Sequence, residues 1–178
     1  QPRLFEVLRQ IALCGGQVRL VVRPERDQAR FSRFIEPLLD QVSAEKAEPT
    51  LADHGAGKSY LGFILYDLFF NVAHKGEKTA GHIYGIETRA ELVEKSRVLA
   101  QRLGFARMSF LNLTVQEATT SAELPAQVDI VTALHACDTA TDDAIAFGLA
   151  KEAQHMVLVP CCQAEVASVL KKTRARHL

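Results

Sequence analysis

Ala52-Asp53-His54-Gly55-Ala56-Gly57-Lys58-Ser59 is the stretch on which the fold turns. Before it, Thr50 to Asp53 is a short strand candidate, and after it Ser59 to Val72 is an apolar helix candidate. A strand that feeds a helix through a glycine turn lets a ligand approach the backbone, because glycine accepts left-handed conformations at little cost. Outward from this point, short apolar segments alternate with longer amphipathic ones. His82 to Glu87, Met108 to Leu113, Val128 to His135 and Met156 to Pro160 are the further strands, and Ala90 to Leu103, Thr141 to Ala153 and Glu165 to Arg176 the further helices. Leu92, Val93, Ser96, Leu99, Ala100 and Leu103 recur at helical spacing, whereas Val128 to His135 has the unbroken apolar character of a strand covered on both faces. The alternation predicts an α/β domain built on a parallel sheet.

The first fifty residues follow another rhythm. A helical pattern at Leu4 to Leu13 is cut by Gly15-Gly16, an extended Val18 to Val22 follows, and a helix is expected over Glu25 to Val42. Phe31, Phe34, Ile35, Leu38 and Leu39 would form its buried face, with a kink or break at Pro37. The chain thus divides into an N-terminal helical extension, 1–48, and a domain, 49–178. Seven arginines, no lysine and five acids precede residue 41. That segment reads either as a basic appendage contacting substrate or as a solvated face.

Composition narrows the function classes. At 178 residues, 48% hydrophobic and 24% charged, the chain has material for one core, which excludes disordered, collagenous and disulfide-scaffold proteins. Its 21 basic and 21 acidic side chains cancel, so a strong overall positive field is excluded too. No apolar run approaches the roughly 20 residues that span a bilayer; the longest, Leu61 to Tyr66, stops at Asp67. No secretory signal is visible, and no membrane partner is expected. Cys14, Cys137, Cys161 and Cys162 do not make a disulfide framework, so a reducing, cytoplasmic setting is expected.

Two chemistries compete for the glycine loop. As a P-loop, Gly57-Lys58-Ser59 would put the lysine on phosphates and the serine on magnesium. Ala52 stands where that pattern starts with glycine, and the best strand runs into His135 and Ala136 rather than a magnesium-binding acid. As a nucleoside-cofactor loop, Asp53 ends the first strand and Gly55 and Gly57 turn tightly under the ligand. This second reading demands an acid at the end of the next strand for the ribose hydroxyls. Gly85-Ile86-Glu87 supplies it.

The run Asp53-His54-Gly55-Ala56-Gly57-Lys58-Ser59-Tyr60-Leu61, then Gly85-Ile86-Glu87, then Leu134-His135-Ala136-Cys137-Asp138-Thr139-Ala140-Thr141-Asp142, then Pro160-Cys161-Cys162, resembles the class I S-adenosylmethionine-dependent methyltransferases. Within them it is similar to a subgroup with a Gly-Lys loop, a His-x-Cys segment and a Pro-Cys-Cys segment, to which the methyltransferase region of the glutathione S-transferase C-terminal-domain-containing protein also belongs. The resemblance implies a Rossmann-like three-layer fold with a mostly parallel sheet, of whose usual seven strands five are visible here. The final antiparallel pair and an initial methionine are not seen, so a fragment is expected. The resemblance further implies S-adenosyl-L-methionine as cofactor, with Asp53 and the backbone of Gly55, Ala56 and Gly57 on its amino-acid part and Glu87 on the ribose. Asn112, Leu113 and Thr114 would lie near adenine, and Leu134, His135 and Ala136 beside the methionine portion.

Methyl transfer is an in-line displacement on an activated sulfonium, so alignment and exclusion of water are the protein's main tasks. His135 and Asp138 are the candidates for acceptor contact or proton removal. His135 is equally readable as a strand-end histidine satisfied by the backbone, and Asp138 and Asp142 as caps of the following helix. His135, Cys137, Cys161 and Cys162 suggest zinc, but adjacent cysteines on extended backbone point opposite ways and no Cys-x-x-Cys spacing exists, so no metal is expected. Tyr60, Phe63, Tyr66, Phe69 and Phe70 read mainly as core, and His54 as a loop residue within reach of ligand or facing solvent. RNA is the acceptor expected from the arginine-rich amino-terminal segment and the subgroup's likeness to RNA-modifying enzymes.

Overall fold

A computed structural model describes residues 17–20, 28–71, 81–134, 136 and 139–160. Its strands are β1 (Gln17–Leu20), β2 (Thr50–His54), β3 (His82–Ile86), β4 (Met108–Leu111), β5 (Ile130–Leu134) and β6 (His155–Val159). They form one sheet in the order β1-β6-β5-β2-β3-β4, and every pairing is parallel. Five of these strands are those expected from the alternating pattern. The sixth, β1, comes from the stretch read as extended within the N-terminal segment, and it covers the outer edge of β6 in register from Gln17↔His155 to Leu20↔Leu158.

The helices are α1 (Gln28–Glu45), α2 (Tyr60–Leu65, continuing as a π-helical turn over Tyr66–Asn71), α3 (Ala90–Leu103), α4 (Val115–Thr120) and α5 (Thr139–Ala150). Side chains along a strand alternate between faces, and the core divides accordingly. Leu51, Ile83, Phe110, Ile130, Val157 and Val159 pack with residues of α1, α2 and α3 on one face. Ala52, Ile86, Leu111, Val131, Ala133, Met156 and Leu158 pack with residues of α4 and α5 on the other. The three-layer α/β architecture follows directly from this period of two.

Several local expectations are corrected. The apolar stripe of α1 is Ile35, Leu38, Leu39 and Val42, while Phe34, one step of about 100° around the helix, is 37% exposed. Pro37 does not break α1, which runs unbroken across it; Arg33 and Pro37 are both exposed, so water can take the carbonyl that Pro37 leaves without a donor. Leu99 and Leu103 are 39% and 50% exposed, because α3 packs on the sheet through Val93, Ser96 and Ala100. Helix α4 was not anticipated, although Thr114-Val115-Gln116-Glu117 carries a capping-box pattern. The Thr114 hydroxyl accepts from the Glu117 N–H at 3.3 Å, and Glu117 Oε2 accepts from the Thr114 N–H at 2.8 Å.

Candidate cofactor site

Because all strands are parallel, β2, β3, β4 and β5 end on the same edge of the sheet. The chain order reverses between β2 and β5, with β3 and β4 on one side and β6 and β1 on the other. Open α/β sheets bind ligands at such a switch point. Asp53 and Thr132 face each other there in register, and Thr132 Oγ1 donates to Asp53 Oδ1 at 2.7 Å. Asp53 is only 3% exposed. Burial pushes its carboxyl up to about 6, against the opposing pull of the Thr132 hydrogen bond.

Past Asp53 the chain makes a tight turn through three left-handed residues, Gly55 (φ +67°), Gly57 (φ +58°) and Ser59 (φ 54°). A Cβ on Gly55 would meet nothing within 4 Å, so backbone conformation rather than crowding calls for glycine there. The loop folds back on β3, since the Ala56 N–H donates to the Ile86 carbonyl at 3.0 Å and the Gly57 N–H to Glu87 Oε2 at 2.9 Å. It therefore presents bare glycine backbone for close approach, with the amides of Ala56 and Gly57 already committed.

Glu87, just past β3, is 7% exposed. Its Oε1 accepts from the Arg89 N–H at 3.0 Å and Arg89 Nε at 3.1 Å, and its Oε2 from Arg89 Nη2 at 3.1 Å. Burial acts to raise the Glu87 carboxyl, but the hydrogen bonds from the Arg89 side chain and main chain and from Gly57, with the guanidinium charge, prevail and hold it down at about 2. Asn112 Nδ2 donates to the carbonyls of Glu87 at 3.0 Å and Thr88 at 2.8 Å, tying the end of β4 to that of β3.

A cavity of about 320 Å³ opens over this edge, lined by Asp53, Gly55, Ala56, Gly57, Lys58, Tyr60, Leu61, Arg89 and Leu134. Its size falls at the lower end of the roughly 300–1,000 Å³ typical of small-ligand sites. With the glycine turn and the buried acid on the neighbouring strand, the residues present fit a nucleoside-type cofactor. A P-loop fits less well. Ser59 is 3% exposed, and its Oγ packs 3.1 Å from where a Cβ of Gly85 would stand, buried against β3 rather than presented to the cavity as a magnesium ligand would be. Lys58 Nζ lies 5.8 Å from the Tyr60 ring centroid.

A methyltransferase-domain family model matches residues 26–169, most of the chain. The chain belongs to this family. It is a methyltransferase domain. Among solved structures it is similar to monomeric WbdD, at 18% identity over 76% of this chain and 31% of that one, with a TM-score of 0.54. It is also similar to an S-adenosylmethionine-dependent methyltransferase from Aquifex aeolicus, at 18% identity over 73% of this chain and 69% of that one, with a TM-score of 0.41. Against the bifunctional kinase-methyltransferase WbdD in a further structure it covers 22% of that chain's length, at 20% identity over 61% of this chain and a TM-score of 0.46. No curated protein matches the chain.

Of the residues singled out from sequence, Asp53, Gly55, Ala56, Gly57 and Leu134 line the cavity together, and Glu87 stands behind Arg89 at its wall. Asn112, Leu113 and Thr114 follow β4, outside that lining. Asn112 holds the Glu87 main chain, and Thr114 caps α4. His135, Cys137, Asp138, Cys161, Cys162 and the helix expected from Glu165 lie outside the described residues. Asp142 sits inside the first turn of α5 rather than at its cap, where its charge still suits the helix dipole. His54 is neither a ligand-facing nor a solvent-facing loop residue. It closes β2, is 6% exposed, and its ring centroid lies 6.1 Å from that of Phe147. Burial lowers its pKa, outweighing the opposing charges of Asp143 and Glu87.

Tyr60 departs from the core reading, at 52% exposure on the cavity rim, whereas Phe63, Tyr66, Phe69 and Phe70 are buried as expected. Arg89 and Thr132 were missed. The signal for Arg89 was its place two residues beyond the strand-end acid, and for Thr132 a hydroxyl inside an otherwise apolar strand.

Proposed function

We propose that this chain transfers the methyl group of S-adenosylmethionine to RNA, and that it lies in the subgroup with the Gly-Lys loop and the His-x-Cys and Pro-Cys-Cys segments. The observation that carries the cofactor part is the Glu87 carboxylate, buried at the end of β3 and joined to the glycine loop by the Gly57 N–H at 2.9 Å. A vicinal diol is well served by such an acid. The choice of RNA is supported by the arginine-rich amino-terminal segment.

When bound, the cofactor supplies an activated methyl on a sulfonium. Asp53 would hold the ammonium of its amino-acid part, Glu87 would accept from the ribose hydroxyls, and Asn112 to Thr114 would border adenine. Leu61 and Leu134, with Tyr60 on the rim, would exclude water from the reacting atoms and so strengthen the electrostatic contacts. His135 and Asp138 would contact the acceptor and take its proton.

The test is incubation with methyl-labelled S-adenosylmethionine and fractionated cellular RNA and protein. Label in RNA, lost in the Glu87→Ala variant, is the expected result. Label confined to protein overturns the RNA assignment alone. Cofactor binding without label in any fraction would point to an interaction domain that retains the cofactor site.

A further inference from the structure

The Arg89 guanidinium meets Glu87 as a two-pronged fork, with Nε on Oε1 at 3.1 Å and Nη2 on Oε2 at 3.1 Å. The other partners of these oxygens are the main-chain N–H of Arg89 on Oε1 at 3.0 Å, the Thr88 hydroxyl on Oε1 at 3.3 Å, and the Gly57 N–H on Oε2 at 2.9 Å. The two amides belong to the backbone and stay whatever the Arg89 side chain does. Of the two side chains that donate to Glu87, only the fork reaches both oxygens, and it can leave as a unit. It delivers one donor to each carboxylate oxygen, which is what the two hydroxyls of a vicinal diol deliver. Arg89 also lines the cavity, and its side chain is 59% exposed, free to leave toward solvent.

We propose that Arg89 is a latch on the ribose site: its guanidinium occupies Glu87 in place of the diol, and a nucleoside cofactor binds by displacing it. The inference rests on the cofactor reading above and adds a competitor that sets affinity and favours ligands able to offer both hydroxyls. A ligand without the diol has nothing to exchange for the guanidinium and leaves the latch shut. Because the Arg89 side chain is more than half exposed, solvent screening keeps the pair weak, and the effect on affinity is correspondingly modest. Salt weakens such a pair, so the wild-type protein gains nucleoside affinity as ionic strength rises, relative to a variant without the fork.

Calorimetry with S-adenosylhomocysteine on the full chain tests this. Arg89→Ala keeps both backbone amides on Glu87 and is expected to tighten the Kd about fivefold, equivalent to ~1 kcal/mol at 1.4 kcal/mol per tenfold. Arg89→Lys retains the charge without the fork and is expected to fall between the two. Adenosine follows the same order, whereas 2′,3′-dideoxyadenosine binds equally weakly to wild type and Arg89→Ala. Equal tightening for both nucleosides overturns the latch, because it marks a cavity merely widened. Weaker S-adenosylhomocysteine binding in Arg89→Ala, with an unchanged melting temperature, also overturns it and makes Arg89 a ligand-holding residue. No binding by wild type or variant overturns both the latch and the cofactor reading, whereas wild-type binding unchanged by Arg89→Ala overturns the latch alone.

Discussion

Asp53 and Glu87 end neighbouring strands and respond to pH in opposite senses. Asp53 is buried with one neutral hydroxyl donor, so its folded carboxyl, at about 6, holds a proton more tightly than the 3.8 of the unfolded chain. The folded state therefore binds more protons between these values, and stability falls as pH rises from 3.8 through about 6. That gap corresponds to ~3 kcal/mol. Glu87 is depressed from 4.5 to about 2, so its contribution is present above 4.5 and lost as pH falls toward 2. Asp53→Asn keeps a carbonyl oxygen for the Thr132 hydroxyl and removes the buried charge. Denaturant unfolding is expected to find it more stable than wild type at pH 7.5, by up to ~3 kcal/mol, and nearly equal at pH 4. An equal gain at both pH values would refute the assignment to Asp53 ionisation. The same charge would hold the ammonium of the cofactor's amino-acid part. S-adenosylhomocysteine affinity in wild type is thus expected to decline as pH drops through about 6, and this decline should vanish in Asp53→Asn.

At the scale of elements, β2, β3 and the helices that follow them set the height of the site. Gly85 lies at the centre of this packing, because a Cβ there would stand 2.8 Å from Phe110 Cδ1 and 3.1 Å from Ser59 Oγ. Phe110 stacks on Phe63 of α2 with centroids 5.7 Å apart, so its ring has no simple retreat. Gly85→Ala is expected to cost ~1–3 kcal/mol by overpacking, read as a lower thermal midpoint, and Phe110→Leu in the same chain should recover part of it. Full additivity of the two changes would refute the clash. The alternation of apolar and amphipathic runs made β2 to β6 and α3 legible, since the strands are apolar runs packed between two helical layers and α3 buries one regular face. Pro37 misled because a proline on an exposed face leaves its freed carbonyl to water. The acid ending β3 was legible as a site residue because its position follows from strand ends alone. Arg89 was not, since its role depends on which of several nearby charges the side chain meets once the loop has folded back.

Across the whole molecule, the two ends of the sheet divide the labour. The carboxyl ends carry Asp53, the glycine turn, Glu87 and Leu134. At the amino ends, Asp129 is 5% exposed and accepts from the Thr50 N–H at 2.7 Å, the Thr50 hydroxyl at 2.8 Å and Lys46 Nζ at 3.0 Å. This carboxylate joins the chain after α1 to the starts of β2 and β5, and so ties the amino-terminal helix to the sheet. Strands rise about 3.3 Å per residue, which sets Asp129 about five residues, or roughly 16 Å, from Leu134 at the cavity. Asp129→Ala leaves the part-buried Thr50 N–H and hydroxyl and the Lys46 ammonium without this acceptor, a loss of about 1–3 kcal/mol. The expected outcome is a clearly lower unfolding midpoint in denaturant with an S-adenosylhomocysteine Kd within twofold of wild type under native conditions. The separation follows from the stiffness of a sheet covered on both faces, in which the strand ends are positioned by many packed side chains rather than by any one tie. A large loss of affinity in a fully folded Asp129→Ala protein would show instead that the amino-end network sets the spacing of β2 and β5, and with it the Asp53–Thr132 pair at the switch point.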